Sequence, residues 1–152
     1  MPLIETMTVI KADLKTCFDL ARNIDIYQKS LQYSNKKAIG GKVAGLIELD
    51  EWVCFEAKHL GFVQHLTSKI TEFDAPNYFV DEMILGAFKS FRHEHHFHEM
   101  KNETIMVDVF NFESPYGVLG KFANWLFLEK YIANLLATRN RFLKQYAEEA
   151  SE

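Results

Sequence analysis

Two hydrophobic periods divide this chain. From residue 46 to 112, apolar and polar side chains alternate with a period of two, as in strands with one buried face. From 116 to 149, apolar side chains recur at three and four, as on one face of a helix. Within the first region, 51–60 sets Val53, Phe55, Ala57 and His59 against Trp52, Cys54, Glu56 and Lys58. The stretch 62–73 sets Phe62, Gln64, Leu66, Ser68 and Ile70 against Val63, His65, Thr67, Lys69 and Thr71. Gly61 suits a tight reversal between them, and Asp74-Ala75-Pro76-Asn77 marks a turn. Strands over 78–85 and 87–100 part at Gly86, and Lys101-Asn102-Glu103 turns into a strand over 104–112. Connections this short make neighbouring strands antiparallel.

The helical region places Val118, Phe122, Trp125, Leu128, Ile132, Leu135, Phe142 and Tyr146 on one stripe, which steps by seven across Arg139. Ser114-Pro115 suits a helix start. At ~1.5 Å per residue the helix would run roughly 45–50 Å, so it needs a broad apolar surface to lie against. Before the meander, 3–11 reads as a first strand. Asp13 caps a helix over 14–22 with a stripe of Leu14, Cys17, Phe18 and Ala21, and a second short helix follows over 24–31. The stretch 33–45 reads as a loop with a turn at Gly40-Gly41, long enough to act as a lid.

The pattern predicts a single α+β domain over 1–152: six or seven antiparallel strands, two short helices after the first strand, and one long final helix. The helix covers only part of the sheet's inner face, so a cavity is expected between them. Composition sharpens this picture. Thirteen phenylalanines raise the aromatic content to 14%, and such side chains line pockets for apolar or planar ligands. A net charge of −4 lacks the basic footprint of a nucleic-acid binder. Apolar runs are too short for stable membrane insertion. Cys17 and Cys54 without a signal peptide lead us to expect reduced thiols and a cytoplasmic protein.

The chemistry gathers in histidine. Of six, four crowd into 90–99, where alternation puts Phe91, His93, His95 and Phe97 on one face and Arg92, Glu94, His96 and His98 on the other. The phenylalanine-flanked face should point inward, as should His59 beside Phe55. Three readings stand for His93 and His95: hydrogen-bonded core histidines, a polar patch orienting a ligand, or metal binding and catalysis. A metal needs a third ligand, and the candidates His59, Asp81 and Asp108 lie on other strands with no recognised triplet spacing, so neither metal nor cofactor is expected. Asp81 and Asp108 each share a face with apolar residues; each turns out to water or meets an inward histidine.

Several stretches carry a family resemblance. They are Phe18-x-Leu20-Ala21-Arg22, Ala38-Ile39-x-Gly41, Gly45-Leu46-Ile47, His59-x-Gly61, Leu66-Thr67-Ser68-x-Ile70, Phe79-Val80-Asp81-Glu82, Gly86-x-Phe88 and His93-x-His95-x-Phe97. In combination with the element order they resemble the SRPBCC superfamily, which includes START lipid-transfer domains, birch-pollen-allergen-like proteins and polyketide aromatase/cyclases. Within it they resemble the bacterial ligand-binding proteins loosely labelled cell-division inhibitors. The resemblance implies a helix-grip fold holding an apolar small molecule, and it carries no catalytic residue set. The expected ligand-binding residues are Phe55, Phe91, Phe97, Phe110 and Phe112 on the walls, and Trp125 and Leu128 from the helix. His59, His93 and His95, with Asp81 and Asp108, would form a polar end. The alternative is a polyketide-cyclase or dehydratase-like enzyme using those histidines as general acid or base. The helix is apolar almost all round from 118 to 128, so a covering loop, the small helices or a homodimer contact is expected on its back.

Overall fold

Each short reversal lays a strand beside its predecessor, and the sheet grows outward one strand at a time. The computed structural model describes residues 3–32, 35–59, 62–86, 88–113 and 121–151, without the side chains of 59, 62 and 121–127. The readings made on Gly61, on Ser114-Pro115, on the side chains of His59 and Trp125, and on most of the all-round apolar stretch lie outside these residues. Strand β1 (Leu3–Ile10) leads through α1 (Leu14–Ala21) and α2 (Ile24–Ser30) to β2 (Lys37–Gly41). Then come β3 (Trp52–His59), β4 (Phe62–Asp74), β5 (Tyr78–Leu85), β6 (Ser90–Met100), β7 (Glu103–Glu113) and the long α3 (Lys121–Ala150). The seven strands form one sheet in the order β1-β7-β6-β5-β4-β3-β2, and every pairing is antiparallel. This is the α+β architecture expected from the pattern.

Local chemistry sets the element ends. Asp13 and Asn23 accept hydrogen bonds at 3.1 Å from Thr16 N and Ile26 N, capping the two short helices. Between β6 and β7, Lys101 and Asn102 take positive φ (48° and 66°), which closes a two-residue hairpin around the Met100–Glu103 pair. Phe18 of α1 then enters the sheet's inner face and meets Phe73, Phe79 and Phe97 edge-on at 5.3–5.5 Å between centroids. Buried rings of this kind contribute ~1.5–3 kcal/mol each.

Two expectations are corrected. The stretch 33–45 is not a loop throughout: Lys37–Gly41 is an edge strand paired with β3 from Lys37–Glu56 to Gly41–Val53. Gly41 has φ +71°, and a Cβ there would collide with the Trp52 carbonyl; it permits close strand approach rather than a turn. A lid motion of the whole segment would break that ladder. The second correction concerns α3. Among its described side chains the buried ones are Ile132, Leu136, Arg139, Asn140, Leu143 and Ala147, while Tyr146 is 40% exposed. The seam runs through the polar pair Arg139-Asn140, one position round from the stripe of large apolar residues. Those two side chains are buried because they bond to the sheet.

This seam is testable by urea denaturation. Leu143→Ala should cost ~2–5 kcal/mol by opening a cavity under the helix. Tyr146→Ala should stay within about 0.5 kcal/mol, as for other exposed positions.

Candidate functional site

Alternation along β3 to β7 points one set of side chains toward the helices, and the space they enclose is incompletely filled. A cavity of about 150 Å³ remains. Its sheet wall is Val53 and Phe55, then Leu66, Ser68 and Ile70, then Phe79 and Asp81, then Phe91, His93, His95 and Phe110. Ile24 and Tyr27 of α2, and Ile132, Leu135, Leu136 and Arg139 of α3, close the other side. An apolar hole of comparable size accommodates a benzene-sized ring.

One wall is polar. Asp108 is fully buried and accepts from four donors on three elements. Arg139 Nη2 (2.6 Å) and His93 Nε2 (2.8 Å) reach Oδ1; Asn140 Nδ2 (2.9 Å) and Thr6 Oγ1 (3.3 Å) reach Oδ2. Burial alone would raise its pKa, but Arg139 and then His93 hold it well below the usual carboxylate range. Arg139 spends Nε and Nη2 also on Asn140 Oδ1, which locks the guanidinium in place.

The second dyad lies beside the first. His95 Nε2 donates to Asp81 Oδ1 at 2.8 Å. The rings of His93 and His95 stack at 3.8 Å, and Phe79 covers the other face of His95 at 4.0 Å. Burial first, and the neighbouring His93 second, push His95 down to about 4. Burial would raise Asp81, but the hydrogen bond from His95 and the pull of His93 hold it below its ordinary value. Because ionised carboxylates only accept, both imidazoles donate through Nε2. His95 Nδ1 is then a buried lone pair with no partner among the described residues, 3.6 Å from Asp108 Oδ1. His93 Nδ1 faces Asp81 at 3.8 Å.

Asp81, one of the three candidates for a third ligand, does bring its donor atom within 4.8 Å of those of His93 and His95. Their Nε2 atoms are committed to carboxylates, however, in rings whose planes lie only 29° apart. The remaining Nδ1 atoms face different carboxylates, Asp81 for His93 and Asp108 for His95, so a shared ion would require the rings to turn.

Of the residues expected to bind ligand, Phe55, Asp81, Phe91, His93, His95 and Phe110 line the cavity. Phe97 is instead packed against Phe18 and Phe79, Phe112 against Phe88 and Phe110, and Leu128 against the cluster around Ile132. Asp108 stands behind His93 as its anchor. Sequence reasoning missed Arg139, whose signal was a charged residue interrupting an apolar stripe. It also missed Tyr27 and Lys36, which line the cavity from a helix and a connection without any periodic mark.

No family model and no curated protein matches the sequence. Solved structures do match. A protein of Thermus thermophilus is 16% identical, with 99% of this chain and 100% of that one covered at a TM-score of 0.79. The Zhui aromatase/cyclase of a Streptomyces species is 10% identical over 99% and 96%, at 0.80. A START superfamily protein of Mycobacterium smegmatis is 10% identical over 97% and 98%, at 0.71. The chain has the helix-grip fold of these structures. Among the described residues, no helix is long and apolar enough to cross a membrane.

The polar wall predicts a pH profile. The unfolded chain protonates His95 near 6.5 and the folded chain only at about 4, so stability falls as pH drops through that window. The loss should total on the order of 3 kcal/mol. Asp81 and Asp108, lowered in the folded state, contribute stability that is lost only at still lower pH. Urea midpoints at pH 7, 5.5 and 4 should show the upper limb, and His95→Gln should flatten it. Asp108→Asn, which leaves Arg139 buried without its partner, should cost ~3–5 kcal/mol at pH 7.

Proposed function

We propose that this protein binds a compact apolar or aromatic small molecule between the sheet and α3, with His93 and Asp81 as polar contacts on one wall. The observation that carries this reading is the cavity itself. Protein interiors are packed to crystal-like density, and voids are usually filled. At ~24 cal/mol per Å³, leaving 150 Å³ empty costs roughly 3.6 kcal/mol. A ligand filling that space recovers much of this. The walls suit such a ligand, since Phe55, Phe79, Phe91 and Phe110 line the space. The likeness to a START superfamily protein and to an aromatase/cyclase lends further support.

A second reading is acid–base catalysis of the cyclase or dehydratase kind. One observation favours it: Asp108 holds His93 by Nε2, leaving Nδ1 on the cavity side next to Asp81. The two readings part on His93→Ala. A binding protein keeps its affinity for apolar molecules and loses selectivity, whereas an enzyme loses turnover by ~100-fold or more.

Native mass spectrometry of protein purified from its source should show a co-purifying small organic mass. Ser68→Phe, which directs a ring into the cavity from β4, should remove that mass and abolish calorimetric binding of benzene. Undiminished benzene binding in a folded Ser68→Phe protein would refute the cavity as the site.

A further inference from the structure

The charged groups around the cavity are answered by the fold, with one exception among the described residues. Arg139 meets Asp108 at 2.6 Å, Arg22 meets Asp19 at 3.0 Å, and Asp81 accepts a hydrogen bond from His95 Nε2. Lys36, just before β2, is only 8% exposed and has no carboxylate within 4.0 Å among the described residues. The contrast with the other lysines is informative. Lys15, Lys37, Lys69 and Lys89 all have carboxylate partners, yet stand 41–79% exposed, where pairing contributes little. The buried lysine, where pairing would contribute most, has none among the described residues.

What surrounds Lys36 is aromatic. Its Nζ donates to Tyr27 Oη at 2.8 Å and lies 4.8 and 5.3 Å from the ring centroids of Tyr27 and Phe55. Cation–π contacts of this kind compensate in part for the lost hydration of an ammonium. They leave two of its three N–H groups without a hydrogen-bond acceptor among the described residues. Tyr27 Oη accepts from Lys36, so its own O–H remains able to donate. Lys36, Tyr27 and Phe55 all line the cavity. A cation and a phenolic donor therefore stand together at an apolar wall, in the arrangement that grips a carboxylate with charge-assisted hydrogen bonds.

We infer that the cavity's occupant is an apolar acid, whose carboxylate or similarly compact oxyanion pairs with Lys36 and Tyr27 while its ring fills the space between sheet and α3. This rests on the cavity-binding reading above and adds the charge of the ligand to it. The acid-binding pair lies at the β3 side of the cavity, and the imidazoles lie on β6, with β4 and β5 between them. The occupant would thus be oriented, with its anionic end toward α2 and β3.

Two isosteric probes test the charge alone: benzoate and benzamide, titrated calorimetrically at pH 7 against the wild-type chain and Lys36→Met. The wild type should bind the acid roughly ten- to a hundredfold more tightly than the amide. Lys36→Met should bring the two affinities within about threefold by weakening the acid far more than the amide. Tyr27→Phe should reduce the acid's advantage by a smaller factor. Equal binding of acid and amide by the wild type, or an acid preference that survives in folded Lys36→Met, overturns the inference while leaving the cavity reading intact. Binding of neither probe by the wild type overturns both.

Discussion

The carboxylate of Asp108 fixes where α3 lies. It is fully buried, and its hydrogen bonds reach Arg139 and Asn140 on the helix, His93 on β6 and Thr6 on β1. A buried ion pair adds little net stability, because desolvating two charges offsets most of their attraction. Its geometry is demanding, however: a helix sliding by one turn would leave both charges unpaired in an apolar interior. To either side the helix rests on apolar surfaces, Leu143 and Ala147 in the cluster around Phe18, Ile132 and Leu136 in the cluster around Phe110. The polar junction sets the register between two apolar contacts that could otherwise slip.

The same junction shapes the cavity. Arg139 and His93 are held by Asp108 and cannot collapse into the space beside them, and His95 is clamped between Phe79 and His93. The void is thus bounded on one side by groups whose hydrogen bonds prevent them from filling it. This is a physical reason for a hollow in a chain rich in large aromatic side chains. The wall it produces is rigid and preorganised, which favours binding by reducing the ordering cost on association.

Much of this was legible in the sequence, for a reason that differs from element to element. Strand alternation has a period of two that leaves no drift, so Phe91, His93, His95 and Phe97 were placed on the inner face together, where they are. Alternation gives the face of a residue and not its depth. Phe97 and Phe112 point inward, but Phe18 and Phe88 lie over them, so they are core rather than cavity wall. Strand β2 was hidden because two of its five residues are glycines. The seam of α3 was misplaced because the residues at its centre, Arg139 and Asn140, are polar, and a hydrophobic pattern passes over the positions that a buried charge occupies. Lys36 left no mark at all, since its burial depends on Tyr27 and Phe55 arriving from elsewhere in the chain.

The pairing of β1 with β7 has a consequence for how the molecule assembles. Thr6 lies across the ladder from Asp108, 102 residues away along the chain. The first strand therefore has no sheet neighbour until the last has formed, and closing so wide a loop must precede the contacts that reward it. The expected route is slow and dominated by long-range contacts. Until the two strands meet, β1 remains an unpaired edge able to recruit a foreign strand, and the crowded state before closure is where this protein is most exposed to aggregation.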